Sequence, residues 1–318
     1  MNVSHLDFYE RLDIWGRALI ASGDHDPTYP VIKDIINYYE FEPEWFCFCY
    51  VAFYSIETGV KMCKVMPTTE HWDEDLFREL RQSGELKHFN HERRGSMRNI
   101  DNQIKMFNDI LLFLDNWQGG ITNSEFRKKI MEISFLGEWG SFKLAELFEK
   151  SVGYEELEIL DMGIDTKDFN SNSSPVGGLR WIFDVNRTLE NQKTGTIDFG
   201  KNKEYWLPIF EKFGRELAKS WGVGIGEVET VCCKIHKQIT GKYFIGHDIA
   251  ELIELREVLG EEIYENIMKK NFDKKLWRTY QKFPKELKTI YRDKNIMINS
   301  EYANKYPKVN IKQIILDL

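Results

Sequence analysis

Apolar residues recur three and four positions apart through most of this chain, and that helical period restricts its fold more than any other property of the sequence. Leu6, Tyr9, Leu12, Trp15 and Leu19 predict an amphipathic first helix, stopped by Ser22-Gly23-Asp24. A second opens at Pro30 or Val31 and runs through Ile32, Ile35, Ile36 and Tyr39, and an aromatic-rich third extends from about Glu44 to Thr58. Further helices are expected around Ile104 to Leu114, Phe126 to Ile133, Phe142 to Phe148, Trp206 to Trp221, Glu227 to Gln238 and Asp248 to Leu259. DTKDFNSNSSPVGG reads as a loop, GKNKEYW and GKYFIGHD as turns, and the C-terminal VNIKQIIL as the one plausible strand. The expectation is a mainly α protein with two helical lobes in one compact body.

Composition narrows the class. A chain of 318 residues with 42% hydrophobic and 30% charged residues is ordinary for a globular protein. No apolar run approaches the roughly 20 residues that span a bilayer, and MNVSHLDFYERLDIW carries acids where a secretory leader carries basic residues. No membrane association and a cytoplasmic location are therefore expected. The five cysteines (Cys47, Cys49, Cys63, Cys232 and Cys233) form no CxxC pair and sit in apolar surroundings, which fits buried thiols. A net charge of −8 argues against a protein that coats DNA non-specifically. Lys269 to Lys294, however, holds ten Lys or Arg against three acids. That stretch is either a solvated helix face or one wall of an anion site.

The stretch FLGEWGSFKLAELFEK, from Phe135 to Lys150, places Gly137 and Gly140 around Trp139 at the start of a helical pattern. Glycine allows a tight turn with positive φ and close backbone approach. The helix N-terminus that follows points unpaired N–H groups at whatever lies in front of it, which suits a phosphate. This is the physics of a helix-hairpin-helix element, with Gly137, Gly140 and Ser141 as DNA contacts; a plain interhelical turn is the alternative. The pattern, with Lys143-x-Ala145 in the helix, resembles the hairpin of DNA glycosylases. In that superfamily a catalytic aspartate follows the hairpin, and Asp161 in LEILDMG stands at a suitable distance, unless it caps the next helix.

Two other stretches concentrate chemistry. SGDHDPTYP supplies Asp24, His25, Asp26 and Tyr29 in one turn, although Asp-x-Asp-Pro also serves to end one helix and begin another. HFNHERRGSMRNIDNQ supplies Arg93, Arg94 and Arg98, of which Arg94 and Arg98 share a face if helical. Guanidinium groups so placed grip phosphate or pyrophosphate; surface salt bridges are the alternative.

The order of these blocks carries a resemblance. Asp-x-Asp-Pro-x-Tyr is followed by an Arg-rich middle, Gly-x-Trp-Gly-x-Phe-Lys-x-Ala-Glu-Leu and an Asp. Ser-x-Pro-x-x-Gly-Leu, Glu-Thr-x-x-Cys-Lys and Gly-Lys-Tyr-x-x-Gly come after. Up to about Asp248 the chain resembles the phage amino acid:DNA transferases, also called α-glutamyl/putrescinyl thymine pyrophosphorylases. The resemblance implies a two-lobed helical fold like that of helix-hairpin-helix DNA glycosylases, with a core over 1–190 and a helical C-terminal extension over 191–318. It implies a substrate, double-stranded DNA carrying pyrophosphorylated 5-hydroxymethyluracil, and a small amine donor, an amino acid or a polyamine such as putrescine. The amine displaces pyrophosphate from the flipped base; no cofactor or metal is implied.

The residue types suit that chemistry. Arg93, Arg94, Arg98 and Lys143 are candidates for the departing pyrophosphate. Asp161, or Asp24 and Asp26 with His25, are candidates for the base that deprotonates the amine. Tyr29 and Trp139 offer rings for stacking on the pyrimidine, with a core position the alternative for Trp139. A base-excising glycosylase and a non-enzymatic DNA-binding protein of the same fold are the rival readings.

Overall fold

The structure is a computed structural model; it describes residues 8–87, 99–164, 175–184, 197–239, 243, 245–274, 276 and 300–318. Among these residues there are helices and turns and no strand. In chain order the α-helices are α1 Phe8–Ser22, α2 Thr28–Tyr39, α3 Pro43–Phe53, α4 Ile56–Val65, α5 Glu74–Ser83, α6 Ile100–Asp115, α7 Asn123–Ile130 and α8 Glu138–Leu147. They continue with α9 Pro175–Phe183, α10 Lys203–Trp221, α11 Ile225–Ile239, α12 His247–Glu251, α13 Leu255–Leu259, α14 Glu261–Asn271, α15 Ser300–Ala303 and α16 Ile311–Leu316. The mainly α expectation holds. None of these helices is long and apolar enough to cross a membrane.

Two expected elements differ. The single helix from Glu44 to Thr58 is two, because Tyr54 takes a left-handed φ of 50° and Ser55 then caps α4 by accepting from the Thr58 N–H. The stretch expected as a strand at VNIKQIIL is α16, whose N-cap Asn310 accepts from the Gln313 N–H at 3.2 Å. A short apolar run does not distinguish strand from helix, and here the Asn cap decides.

The chain forms two compact units that do not divide at residue 190. Met1–Pro27, Ile159–Glu251 and Phe272–Leu318 make the first, and Thr28–Glu158 with Leu252–Asn271 the second. The chain leaves the first unit directly after the Asp24-His25-Asp26 turn and returns to it just before Asp161.

In the first unit α9 and α11 meet at Gly178, where a Cβ would lie 1.9 Å from the Cys232 carbonyl oxygen. The missing side chain is what lets the two backbones touch. On α1, the buried pair Asp13–Arg17 closes at 2.6 Å. Asp13 accepts from Trp221 Nε1 of α10 and from the Val309 N–H, and Arg17 donates to the Ala303 and Tyr306 carbonyls. One ion pair thus ties α10 and the C-terminal segment to α1.

Aromatic rings hold the second unit together. Trp45, Trp72, Phe77 and Phe107 interleave at one end. At the other, Phe126 of α7 and Phe148, just after α8, pack with Phe48, Phe113, Trp117 and Tyr154. Such pairs add about 0.5–1.5 kcal/mol each beyond the area they bury. This second cluster fixes α7 and α8 against α3 and α6.

Candidate active site

In the first unit, the turn after α1 turns inward. Asp24 is fully buried, and its carboxylate accepts from the Gly246 N–H at 2.7 Å, the Ile249 N–H at 2.8 Å and the Tyr243 hydroxyl. Gly246 and Ile249 flank the start of α12, so Asp24 caps that helix from more than 200 residues away. Lys234 of α11 donates to the Asp24 carbonyl at 2.5 Å, the His25 carbonyl at 2.6 Å and Asp248 Oδ2 at 2.7 Å. An ammonium has three protons, and all are placed.

Two carboxylates therefore share one cation in a desolvated space. Burial, helped by the Asp248 charge, pushes Asp24 up to about 7 against the pull of Lys234, Tyr243 and the Ile249 N–H. Burial also works against the charge of Asp248, but Lys234 and His247 outweigh it and hold that carboxyl well below its usual range. Lys234 is held above its ordinary value because Asp248, Asp24 and Asp26 overcome the cost of burial. Burial and Asp24 keep the Tyr243 phenol protonated.

Asp24 is closed to any substrate in this arrangement, which removes it as the group that touches the incoming amine. His25 and Asp26 are half-buried, and Asp26 accepts from the Thr230 hydroxyl at 2.7 Å. Among the described residues, Asp161 stands in a turn and not at the start of a helix. Its carboxylate accepts from the Gly163 N–H at 2.8 Å, closing a local turn. The neighbouring Met162 N–H is gripped by Glu211 and the Leu160 carbonyl by Arg215, both from α10. His247, Asp248 and Glu251 could offer a metal one atom each within 4.8 Å of one another. The Lys234 ammonium on Asp248 already supplies positive charge there.

In the second unit, Tyr29 and Lys143 come together as a pair, joined by Glu146, which spacing alone did not single out. The Tyr29 hydroxyl donates to Glu146 Oε2 and accepts from Lys143 Nζ. Lys143 also pairs with Glu146 Oε2 at 2.9 Å and lies 4.5 Å from the Tyr29 ring centroid. Tyr29 is 3% exposed with a lysine over its ring, so it does not stack on a base. Directly after α8, Phe148–Val152 forms a π-helical turn, and Ser151 Oγ donates to the Tyr29 carbonyl at 3.1 Å. Such wide turns recur at functional sites.

The hairpin between α7 and α8 is exposed at Gly137, Glu138 and Trp139. Gly137 begins α8 with no side-chain cap and with open space where a Cβ would stand. Neither hairpin glycine uses positive φ; Phe135 does, at 67°. Trp139 is not core: it is 45% exposed and meets Tyr54 edge-on at 5.0 Å. Ser141 is buried, and its hydroxyl donates to the Glu138 carbonyl at 2.8 Å, so it is removed as a DNA contact. Gly140 is buried as well. Arg127, Lys128 and Lys129 end α7, against Glu132 and Glu138 nearby in sequence.

Arg93, Arg94 and Arg98 lie outside the described residues, as does most of the basic stretch from 269 to 294. The residues that sequence reasoning missed, Lys234, Tyr243 and Glu146, all stand inside blocks that carry the resemblance. Block membership was the available signal; spacing gave none. No family model, curated protein or solved structure matches the chain.

Proposed function

We propose that this protein is a transferase that acts on DNA carrying 5-(pyrophosphoryloxymethyl)uracil and replaces the pyrophosphate with an amine. One observation carries the reading: blocks scattered along the sequence converge in space. Asp24 meets Lys234, Tyr243 and Gly246, so Asp-x-Asp-Pro, Glu-Thr-x-x-Cys-Lys and Gly-Lys-Tyr-x-x-Gly form one cluster. Tyr29, the last residue of the first block, meets Lys143 and Glu146 of the hairpin block. A plain helical scaffold has no need to bring these polar groups together.

On this reading the start of α8, which has no side-chain cap, receives a DNA phosphate through the backbone N–H groups of its first turn. Lys143, one helical turn further on, lies near the departing pyrophosphate, and Trp139 lies against the opened duplex. The glycosylase-like arrangement of the two lobes belongs to the same proposal. Incubation with pyrophosphorylated duplex DNA and a panel of amines, then nucleoside mass spectrometry, tests it. A new nucleoside mass supports the transfer. Abasic sites would make the protein a glycosylase, and unchanged DNA that is still bound would make it a binding protein.

A further inference from the structure

The transfer reaction needs a proton acceptor, because an amine donor is an ammonium at neutral pH and has no lone pair to attack with. Asp24 is sealed, and the Asp161 carboxylate closes its own turn. A third carboxylate, Glu146, is also buried, but it is wired to the surface. Lys143 Nζ donates to the Tyr29 hydroxyl, and the Tyr29 hydroxyl donates to Glu146 Oε2. The two hydrogen bonds run in the same sense, each donor facing inward. The Glu146 side chain is 2% exposed and that of Lys143 13%, so Lys143 is the outer end of the chain.

The geometry points to Glu146 as the terminal proton acceptor for the incoming amine, reached through Tyr29 and Lys143. This rests on the transferase reading. Lys143 passes a proton to the Tyr29 oxygen as Tyr29 passes its own to Glu146, and the neutral Lys143 takes a proton from the donor ammonium. In sum, the ammonium and the Glu146 carboxylate become a free amine and a carboxylic acid, and Lys143 ends as it began, charged. The amine nitrogen then forms its bond to the exocyclic CH2. The C–O bond breaks, its electron pair leaves with pyrophosphate, and the second amine proton goes to solvent. The restored Lys143 ammonium faces that departing charge. Glu146 acts through its neighbours; Lys143 touches the substrate.

The test compares two donors on pyrophosphorylated DNA: putrescine, charged at neutral pH, and methoxyamine, which is already neutral there. Glu146→Gln should slow transfer from putrescine by roughly 100-fold or more at pH 7 and make its rate climb with pH, while methoxyamine reacts at close to the wild-type rate. Tyr29→Phe keeps the ring and leaves only the direct Lys143–Glu146 contact at 2.9 Å, so it should give the same donor-dependent pattern in weaker form and serves if Glu146→Gln does not fold. Equal losses with both donors and an unaltered pH profile would make Glu146 structural and overturn the inference. So would wild-type rates with both. If the wild-type protein transfers neither donor, the transferase reading itself falls, and this inference with it.

Discussion

Lys234 and Asp248 stand 2.7 Å apart with the lysine almost wholly out of water, and every ammonium proton of Lys234 meets an acceptor. Removing the lysine would leave Asp24 and Asp248 facing one another without their cation. Lys234→Met should therefore destabilise the protein by about 3–5 kcal/mol, the usual cost of breaking a buried pair from one side. Urea unfolding followed by circular dichroism measures this. A loss below about 1 kcal/mol would show that the cluster is wetter than its geometry indicates.

Asp24 makes stability depend on pH in a definite direction. Its folded value, about 7, lies above the ordinary carboxylate value, so the folded state holds a proton that the unfolded chain gives up. That contribution is complete below about pH 4 and is lost as pH rises toward 7, at no more than about 1.4 kcal/mol per pH unit. Asp248 is depressed, so its contribution is steady across that window and disappears only on further acidification. Urea midpoints should fall from pH 5 to pH 7, and Asp24→Asn should flatten the slope. A slope unchanged in the variant would assign the titration elsewhere.

Two glycines should respond oppositely to alanine. At Gly178 a methyl group would strike the Cys232 carbonyl, backbone against backbone, and α9 and α11 would have to separate. A loss of about 1–3 kcal/mol or more is expected. At Gly137 nothing lies within 4 Å and φ is −98°, so Gly137→Ala should leave the melting temperature nearly unchanged. If the open hairpin receives a phosphate, the same variant should weaken duplex DNA binding several-fold in a fluorescence anisotropy titration. Unchanged affinity would return Gly137 to a plain interhelical turn.

Asp161→Asn separates a chemical from a local structural role. Asparagine can accept from the Gly163 N–H as aspartate does, so folding and DNA binding should persist. If Asp161 is a general base, transfer from every charged donor should drop by roughly 100-fold or more. A wild-type rate would leave the proton to Glu146.

Cys233 should be inert although it is not fully covered. Burial, with the Glu229 charge beside it, pushes its thiol up to about 12, so very little thiolate exists at pH 7.5. Titration with a thiol-reactive chromogen should report no fast-reacting cysteine in the native protein. A rapid single equivalent, abolished in Cys233→Ser, would contradict this.

The helices were legible because their signal is local. Leu12, Trp15 and Leu19 share one face of α1 whatever α1 packs against, and Phe126 and Ile130 do the same on α7. The hairpin at Gly137 was legible for the same reason. Even so, the positive φ expected at its glycines belongs to Phe135. The broken third helix was not legible, because the left-handed turn at Tyr54 has no glycine to announce it.

What the sequence determined alone is a helical chain with polar residues crowded at a few places: the turn from Asp24 to Asp26, the hairpin from Gly137 to Lys143, and the helical block from Glu229 to Lys234. Only the tertiary structure decided what each one does. Asp24 finds its partners at Lys234, Tyr243, Gly246 and Ile249, and Tyr29 finds its own at Lys143 and Glu146. Helix periodicity depends on neighbours three and four residues away. The solvation and charge state of a carboxylate depend on whatever the fold brings within a few ångströms, and no local pattern encodes that. For that reason Asp24, one of the residues that read as a candidate base, is the buried anchor of α12, and Glu146, which local pattern did not single out, is hydrogen-bonded to Tyr29 and Lys143.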